Sequence, residues 1–428
     1  MSQPPPPPLQ EDIAKLSLED KQLKAVEAEA EQRITPWEVE GAKVDGKLQA
    51  IDYDKLIQQF GTRKIDDELL ERFEKVTKHK PHFFLRRGIF FSHRELGRIL
   101  DRYEQGKPFY IYTGRGPSRG HMHVGHMLPF IFCKWLQDVF DVPFVVQLTD
   151  DEKFLFKNDL TLEQTYEYAK NTAREIAACG FKPEKTFIFS NQDYMGAAFY
   201  RNVLKISKCI TTSMAKASFG FKDSDSIGKL HFVSVEAAPS FSSTFPNIFG
   251  GKKDIPCLIP CGIDQDPYFR LTRDVAQRLK YPKPCLIHAV FLPALQGPGS
   301  KMSSSIDSSA IFMGDTAAQI KNKINRHAFS GGGATLEDHR KYGGNPDVDV
   351  PYQYLTFFLE DDEELKQLYD SYKKGELSTG EMKKRCIQEL QEFVGSFQER
   401  ERKITDQDVE NFMNPDYPRK FEILEDKK

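Results

Sequence analysis

The chain has 428 residues with 60 Lys and Arg against 63 Asp and Glu, so no bulk positive charge marks a nucleic-acid partner, and such a contact must come from a local basic patch. Its length exceeds one usual domain and predicts two packed domains with extensions. No apolar run reaches the roughly 18 residues of a membrane span. Of the seven cysteines only Cys257 and Cys261, in CLIPC, lie close together, which reads as buried thiols in a reducing compartment rather than a zinc site.

Residues 1–33 combine a polyproline run with a Glu/Ala/Lys stretch. They read as a disordered, solubilising tail with a fraying helix. The tail lacks the apolar core of a secretory signal and carries the acids that a mitochondrial presequence avoids, which points to the cytosol. Residues 34–106 are expected to pack as an extension on the next domain.

From KPFYIYTG (Lys107 to Gly114) onward, β-rich runs alternate with helical patterns, the signature of a parallel α/β sheet. VPFVVQLTDDEK (Val142 to Lys153) predicts the next strand. Thr161 and Gln164 form a capping box for a helix that stops at Gly180, and KTFIFS (Lys185 to Ser190) and PCLIHAVFLPAL (Pro284 to Leu295) predict two further strands. Residues 107–313 therefore form the α/β domain. From 314 to 428 amphipathic helices take over, with Leu365, Leu368, Tyr369 and Tyr372 on one apolar face and Cys386, Leu390, Phe393 and Phe397 on the next.

TGRGPSRGHMHVGHMLPF (Thr113 to Phe130) lies where a strand gives way to a helix. A helix starting near His123 sets His123 and His126 on one turn. The glycines admit a ligand close to the backbone, helix N-terminal amides suit a phosphate, and Arg115 and Arg119 add charge. A metal pair or an incidental pair of surface histidines fits H-x-G-H equally well. GPGSKMSSS, around Lys301, places a lysine and three hydroxyls in a mobile loop, although a flexible linker has the same composition.

Together, His123-Val124-Gly125-His126 and Lys301-Met302-Ser303-Ser304-Ser305 resemble the two signature motifs of class I aminoacyl-tRNA synthetases. Adding YTGRGPS, TDDEKF, IPCGIDQDPYFR and HAFSGG, the chain from Thr35 to about Pro415 resembles tryptophanyl-tRNA synthetases of the eukaryotic cytosolic kind. The resemblance implies a Rossmann-like parallel-sheet catalytic domain followed by a mainly α-helical anticodon-binding domain. It also implies a homodimer, with interface residues in and after FIFCKWLQDVF (Phe130 to Phe140), where Trp135 and Phe140 suit either an interface or a core. The substrates implied are L-tryptophan, ATP with Mg²⁺, and the tryptophan tRNA.

Residue by residue, the resemblance gives His123, His126 and Lys301 the catalytic role. It assigns ATP to Thr113, Gly114, Arg115, Gly125, Gly262, Asp264, Met302 and Ser303. Tryptophan goes to Tyr112, Gln147, Glu152, Glu236 and Gln265, with Tyr112 and Gln147 on the indole nitrogen and Glu152 on the ammonium. Glu236 departs from the family's usual glutamine, so it either turns to the ammonium or is protonated. SFSSTFPNIFGG reads as a loop over the tryptophan. For tRNA, Lys321, Lys323 and Arg326 are expected to face solvent, opposite Ile320 and Ile324, with Phe329 stacking on an anticodon base. No metal ligand is assigned.

Three rivals remain. A tyrosine enzyme of the same architecture should place an acid where Gln147 stands. A small-molecule nucleotidyltransferase would lack the helical domain, and a non-catalytic relic has no reason to keep both motifs and the pocket. The span from His123 to Lys301 leaves no room for a large hydrolytic insert, so no editing domain is expected.

Overall fold

The computed structural model describes residues 31–36, 39–44, 47–117, 120–302 and 306–421, with backbone alone at 44, 47, 298, 300 and 301. Residues 1–30 of the expected tail, with Arg119 and Ser303, lie outside the described residues. Arg33–Ile34 is a short strand paired antiparallel with Val39–Glu40. Among the described residues no helix is long and apolar enough to cross a membrane.

Seven strands make the central sheet: β1 (Arg63–Lys64), β2 (Phe90–Arg94), β3 (Tyr110–Arg115), β4 (Phe144–Leu148), β5 (Thr186–Ser190), β6 (Cys257–Gly262) and β7 (Cys285–Ala289). Their spatial order is β1-β2-β7-β6-β3-β4-β5. The five strands β7 to β5 are parallel, with β2 antiparallel on the edge of β7. Both faces of β4 and β5 are buried, which is why FVVQL and TFIFS read as near-continuous apolar runs rather than alternating ones. Taken alone, the parallel strands follow the doubly wound Rossmann order, and that order reverses between β3 and β6.

At the reversal the two strands separate. Their pairing covers only Cys257 with Tyr110 and Leu258 with Ile111. Beyond it, Pro260 sits where no amide is needed on the β3 side, and its carbonyl accepts the Thr113 hydroxyl at 2.9 Å. A crevice opens between the carboxyl ends of β3 and β6.

Residues 34–106 do more than pack on this domain, since they supply the antiparallel strands β1 and β2. Arg94 grips the buried Asp266 carboxylate with two bonds of 2.7 Å. Burial alone would raise that carboxyl, but the hydrogen bonds outweigh it and hold it at about 2. Helix Asp67–Thr77 covers the helix Val124–Phe140, where Trp135 stacks on Phe73 at 5.4 Å and Phe140 is 2% exposed. Of the two roles open to them, Phe140 takes the core one, while Trp135 is half-buried.

The presumed substrate loop is also core. Residues 238–249 form two tight turns and a short helix, with Phe241, Phe245 and Phe249 buried and the Thr244 hydroxyl donating to the Ala238 carbonyl at 2.6 Å. The approach to Lys301 is likewise anchored. Strand Gly297–Lys301 pairs with Pro293–Ala294 and, through Ser300, with Glu40.

The helices from Ala317 onward confirm the two apolar faces: Leu365, Tyr372, Cys386, Leu390 and Phe397 are buried. One expectation fails here. Lys323 is only 7% exposed, and its ammonium donates to Asp315 at 2.9 Å and to Asp307 at 2.9 Å while lying over the Phe312 ring. Helical periodicity put it beside Lys321 and Arg326, both exposed, but Asp315 draws it inward. Replacing Lys323 by alanine strips a buried carboxylate of its partner and should cost about 3 kcal/mol or more in urea unfolding, an effect an exposed lysine would not show.

Candidate active site

The crevice is a cavity of about 750 Å³ at the carboxyl ends of β3 and β6. At one end stands the start of helix Val124–Phe140, whose N-cap is His123. The His123 and His126 rings stack at 3.4 Å, and His126 Nδ1 takes hydrogen bonds from Arg115 at 3.0 Å and the His123 amide at 3.4 Å. Arg115 Nε is buried with no hydrogen-bond partner among the described residues. Burial lowers its pKa to about 10, so the group is still charged at neutral pH. A buried cationic donor beside helix N-terminal amides suits an anion such as phosphate.

Two glycines set the clearances at this end. A Cβ on Gly125 would meet the His123 ring at 3.2 Å and Met302 Sδ at 3.5 Å. On Gly262 it would lie 2.5 Å from Asp264 Oδ1, so the bare backbone there lets Asp264 face the cavity. Thr113, Gly114, Arg115, Gly125, Gly262, Asp264 and Met302 thus line one chamber with His123 and His126. The Lys301 side chain and Ser303 are not among the described atoms.

The other end is acidic and aromatic. Glu152, Glu236 and Gln265 line it, while Tyr112 and Gln147 lie buried beneath the floor. The Tyr112 hydroxyl donates to Gln147 Oε1 at 2.6 Å, and Gln147 Nε2 donates to Asn191 at 2.9 Å, so the amide is locked in one orientation. Burial first, and then the nearby Glu236 charge, keep the Tyr112 phenol protonated. Glu236 is itself buried, and burial followed by the Glu152 and Asp151 charges pushes its carboxyl up to about 8. Of the two roles open to Glu236, this supports the protonated one.

Sequence reading missed Asn191, which also donates to Asp151 at 2.7 Å. It missed Lys153, whose ammonium is 3.2 Å from Glu152, and the aromatic wall of Phe156, Phe219 and Tyr268. Asn191 directly follows β5, and the carboxyl ends of parallel strands were the available signal. Lys321, Arg326 and Phe329 lie outside this cavity. Phe329 is 46% exposed, and a second hollow is lined by Ser330, which follows it in the chain, with Gly332, Gly333, Thr335 and His339.

This geometry defines an enzyme site that holds an anion and a small amino compound on a Rossmann-type sheet, and comparison with known proteins names the class. The chain belongs to the class I tRNA synthetases of the W and Y family, whose model matches residues 104–236 and 246–395. The cytoplasmic tryptophan–tRNA ligase of Schizosaccharomyces pombe is 67% identical over 384 residues, covering 90% of this chain and 97% of the relative. The tryptophanyl-tRNA synthetase of Encephalitozoon cuniculi bound to tryptophan superposes with a TM-score of 0.79 at 44% identity, over 86% of this chain and 99% of that one. A product-bound parasite tRNA synthetase reaches 0.83 at 50% identity, over 87% and 98%.

Two outcomes are expected. Gly125→Ala should raise the KM for ATP by on the order of tenfold while leaving that for the amino acid nearly unchanged, because the added methyl displaces only the His123 and Met302 side. Tryptophan KM, measured by steady-state kinetics, should rise as pH increases through about 8. Glu236 is neutral below that pH, and above it a negative charge faces the substrate carboxylate. Glu236→Gln should flatten this rise, and identical profiles for the two proteins would remove Glu236 from the substrate's surroundings.

Proposed function

We infer that this chain is a tryptophan–tRNA ligase working in the cytoplasm. It activates tryptophan with ATP and then transfers it to the terminal adenosine of its tRNA. The observation that carries the choice of amino acid is the Tyr112–Gln147 pair under the acidic end of the cavity. An indole presents one N–H donor and a large flat face. The Tyr112 oxygen, whose proton goes to Gln147, keeps a lone pair for the indole N–H, and phenylalanine has no donor to fill it, the kind of polar mismatch that gives rejection. A tyrosine-selective pocket would want an acid where Gln147 stands.

In the first step a tryptophan carboxylate oxygen attacks the α-phosphorus of ATP, and the bond to pyrophosphate breaks. No protein nucleophile is needed, so the residues position the reactants and offset charge. Glu152, with Gln265, holds the ammonium, and neutral Glu236 donates to the carboxylate. Asp264 accepts from the ribose hydroxyls, while Thr113 and Gly114 shape the wall of the ATP chamber. His123, His126 and Arg115 contact the phosphates, Gly125 leaves room for the adenine, and Met302 and Ser303 bound its far side. Lys301 stabilises the departing pyrophosphate. Mg²⁺, held largely by phosphate oxygens and water, supplies further charge neutralisation when bound.

Residues 107–313 serve as the catalytic domain with 34–106 as its extension, and 314–428 serve as the anticodon-binding domain. Lys321 and Arg326 face the anticodon-stem phosphates, and Phe329 stacks on a base that enters the adjoining hollow. The chain works as a homodimer. With Phe140 covered and Trp135 partly so, a surface that suits a second copy is helix Ala197–Ser207, where Tyr200 and Leu204 are 48% and 51% exposed one turn apart.

Charging of total tRNA with labelled tryptophan tests the function directly, and absence of charging with an otherwise folded protein overturns it. Lys301→Ala should lower the activation rate by about a hundredfold or more with little change in tryptophan affinity, because its charge acts in the transition state. Equal losses in both would remove that role. Leu204→Arg should shift the sedimentation coefficient from dimer to monomer.

A further inference from the structure

Beside the cavity but outside it, three ligand-bearing side chains from separate parts of the chain meet. His121 lies two residues before His123, Glu175 is near the end of helix Leu162–Ala177, and Glu401 is the last residue of helix Thr379–Glu401. One nitrogen and two carboxylate oxygens lie within 4.8 Å of one another. His121 Nδ1 is 2.9 Å from Glu175 Oε1 and 4.0 Å from Glu401 Oε1. Ligands around a tetrahedral ion with bonds of about 2.0–2.2 Å sit about 3.3–3.6 Å apart, between these two spacings.

The surroundings favour an ion over a chance meeting of surface groups. Glu175 is only 3% exposed, and the Met122 amide reaches both its oxygens at 3.2 and 3.1 Å, which fixes the carboxylate's direction. The His121 ring is held against Gly314, where a Cβ would lie 2.2 Å from Cδ2. The His121 side chain is 51% exposed, leaving a water or a fourth ligand an open approach.

We propose that His121, Glu175 and Glu401 form a site for a divalent ion of the zinc class, tying the end of the C-terminal helix to the segment that leads into His123. Nitrogen together with carboxylate oxygen suits zinc better than magnesium. Binding displaces the proton shared between His121 and Glu175. The ion completes a seam already made by Arg400, which donates to the Ala178 carbonyl at 2.9 Å, and by Arg174, which pairs with Asp406. This site is separate from the reading of the active site and stands without it.

The test uses the full chain, stripped with a chelator and kept reduced, titrated with Zn²⁺ alone by calorimetry and followed by thermal melting. One equivalent should bind and raise the melting temperature. Glu401→Gln, which keeps the side-chain volume, and His121→Asn should each weaken binding by about tenfold or more. Mg²⁺ at the same concentration should leave the melting temperature unchanged. No uptake would reduce the cluster to an ion pair, and undiminished uptake in both variants would place zinc elsewhere. An equal effect of Mg²⁺ would overturn the ion class. Each of these three results sinks the proposal.

Discussion

The active site exists because β3 and β6 are paired for two residues and then part. Up to Ile111 and Leu258 they are neighbours in one sheet, and beyond that the Thr113 hydroxyl reaches across the gap to the Pro260 carbonyl. Part of the cavity wall hangs on the ends of these two strands, and Glu152, Lys153 and Phe156 after β4 and Phe219 and Glu236 on helices complete it. β3 leads through Gly116 into the segment before His123, and β6 leads through Gly262 to Asp264 and Gln265. A helix N-terminus faces the crevice from one side, and a floor of buried polar side chains closes it from the other.

Charge is divided along the crevice. Arg115 and the paired histidines make one end a place for anions, while Glu152, Asp151 and Glu236 crowd the other. Three carboxyls so close in a buried region cannot all be ionised cheaply, and Asp151 is pushed up to about 7 by burial, with the Asp150 and Glu152 charges adding to the push. The result is an environment that favours one added positive group, the ammonium of an amino acid, and at the same time keeps a neutral carboxyl available as a donor. On the proposed reading, glutamate at 236 does chemically what a glutamine would do, with a pH limit. The extension contributes from behind, since Arg94 fixes Asp266 next to Gln265.

Much of this was legible because the motifs are local. His123 and His126 share a helical turn by spacing alone, the capping box at Thr161 announced its helix, and four of the five parallel strands were apolar runs. β6 was not read as a strand, because Pro260 argues against a central one, and only the parting of its neighbour explains why it is tolerated. Lys323 looked solvent-facing by periodicity, yet a partner at Asp315 overrode the pattern. For Phe140 and the phenylalanines of residues 241–249 composition shows apolar side chains but not which part of the chain covers them. Asn191 was invisible because its role comes from contact with Gln147, far off in sequence.

The proposed function rests on the Tyr112–Gln147 floor selecting an indole at a site that activates a carboxylate on ATP. The measurement that bears on it most directly is amino-acid-dependent exchange of labelled pyrophosphate into ATP, run with the standard amino acids one at a time. The account predicts exchange with tryptophan and background with phenylalanine and tyrosine. Exchange driven equally by tyrosine, or by none of them, would contradict it.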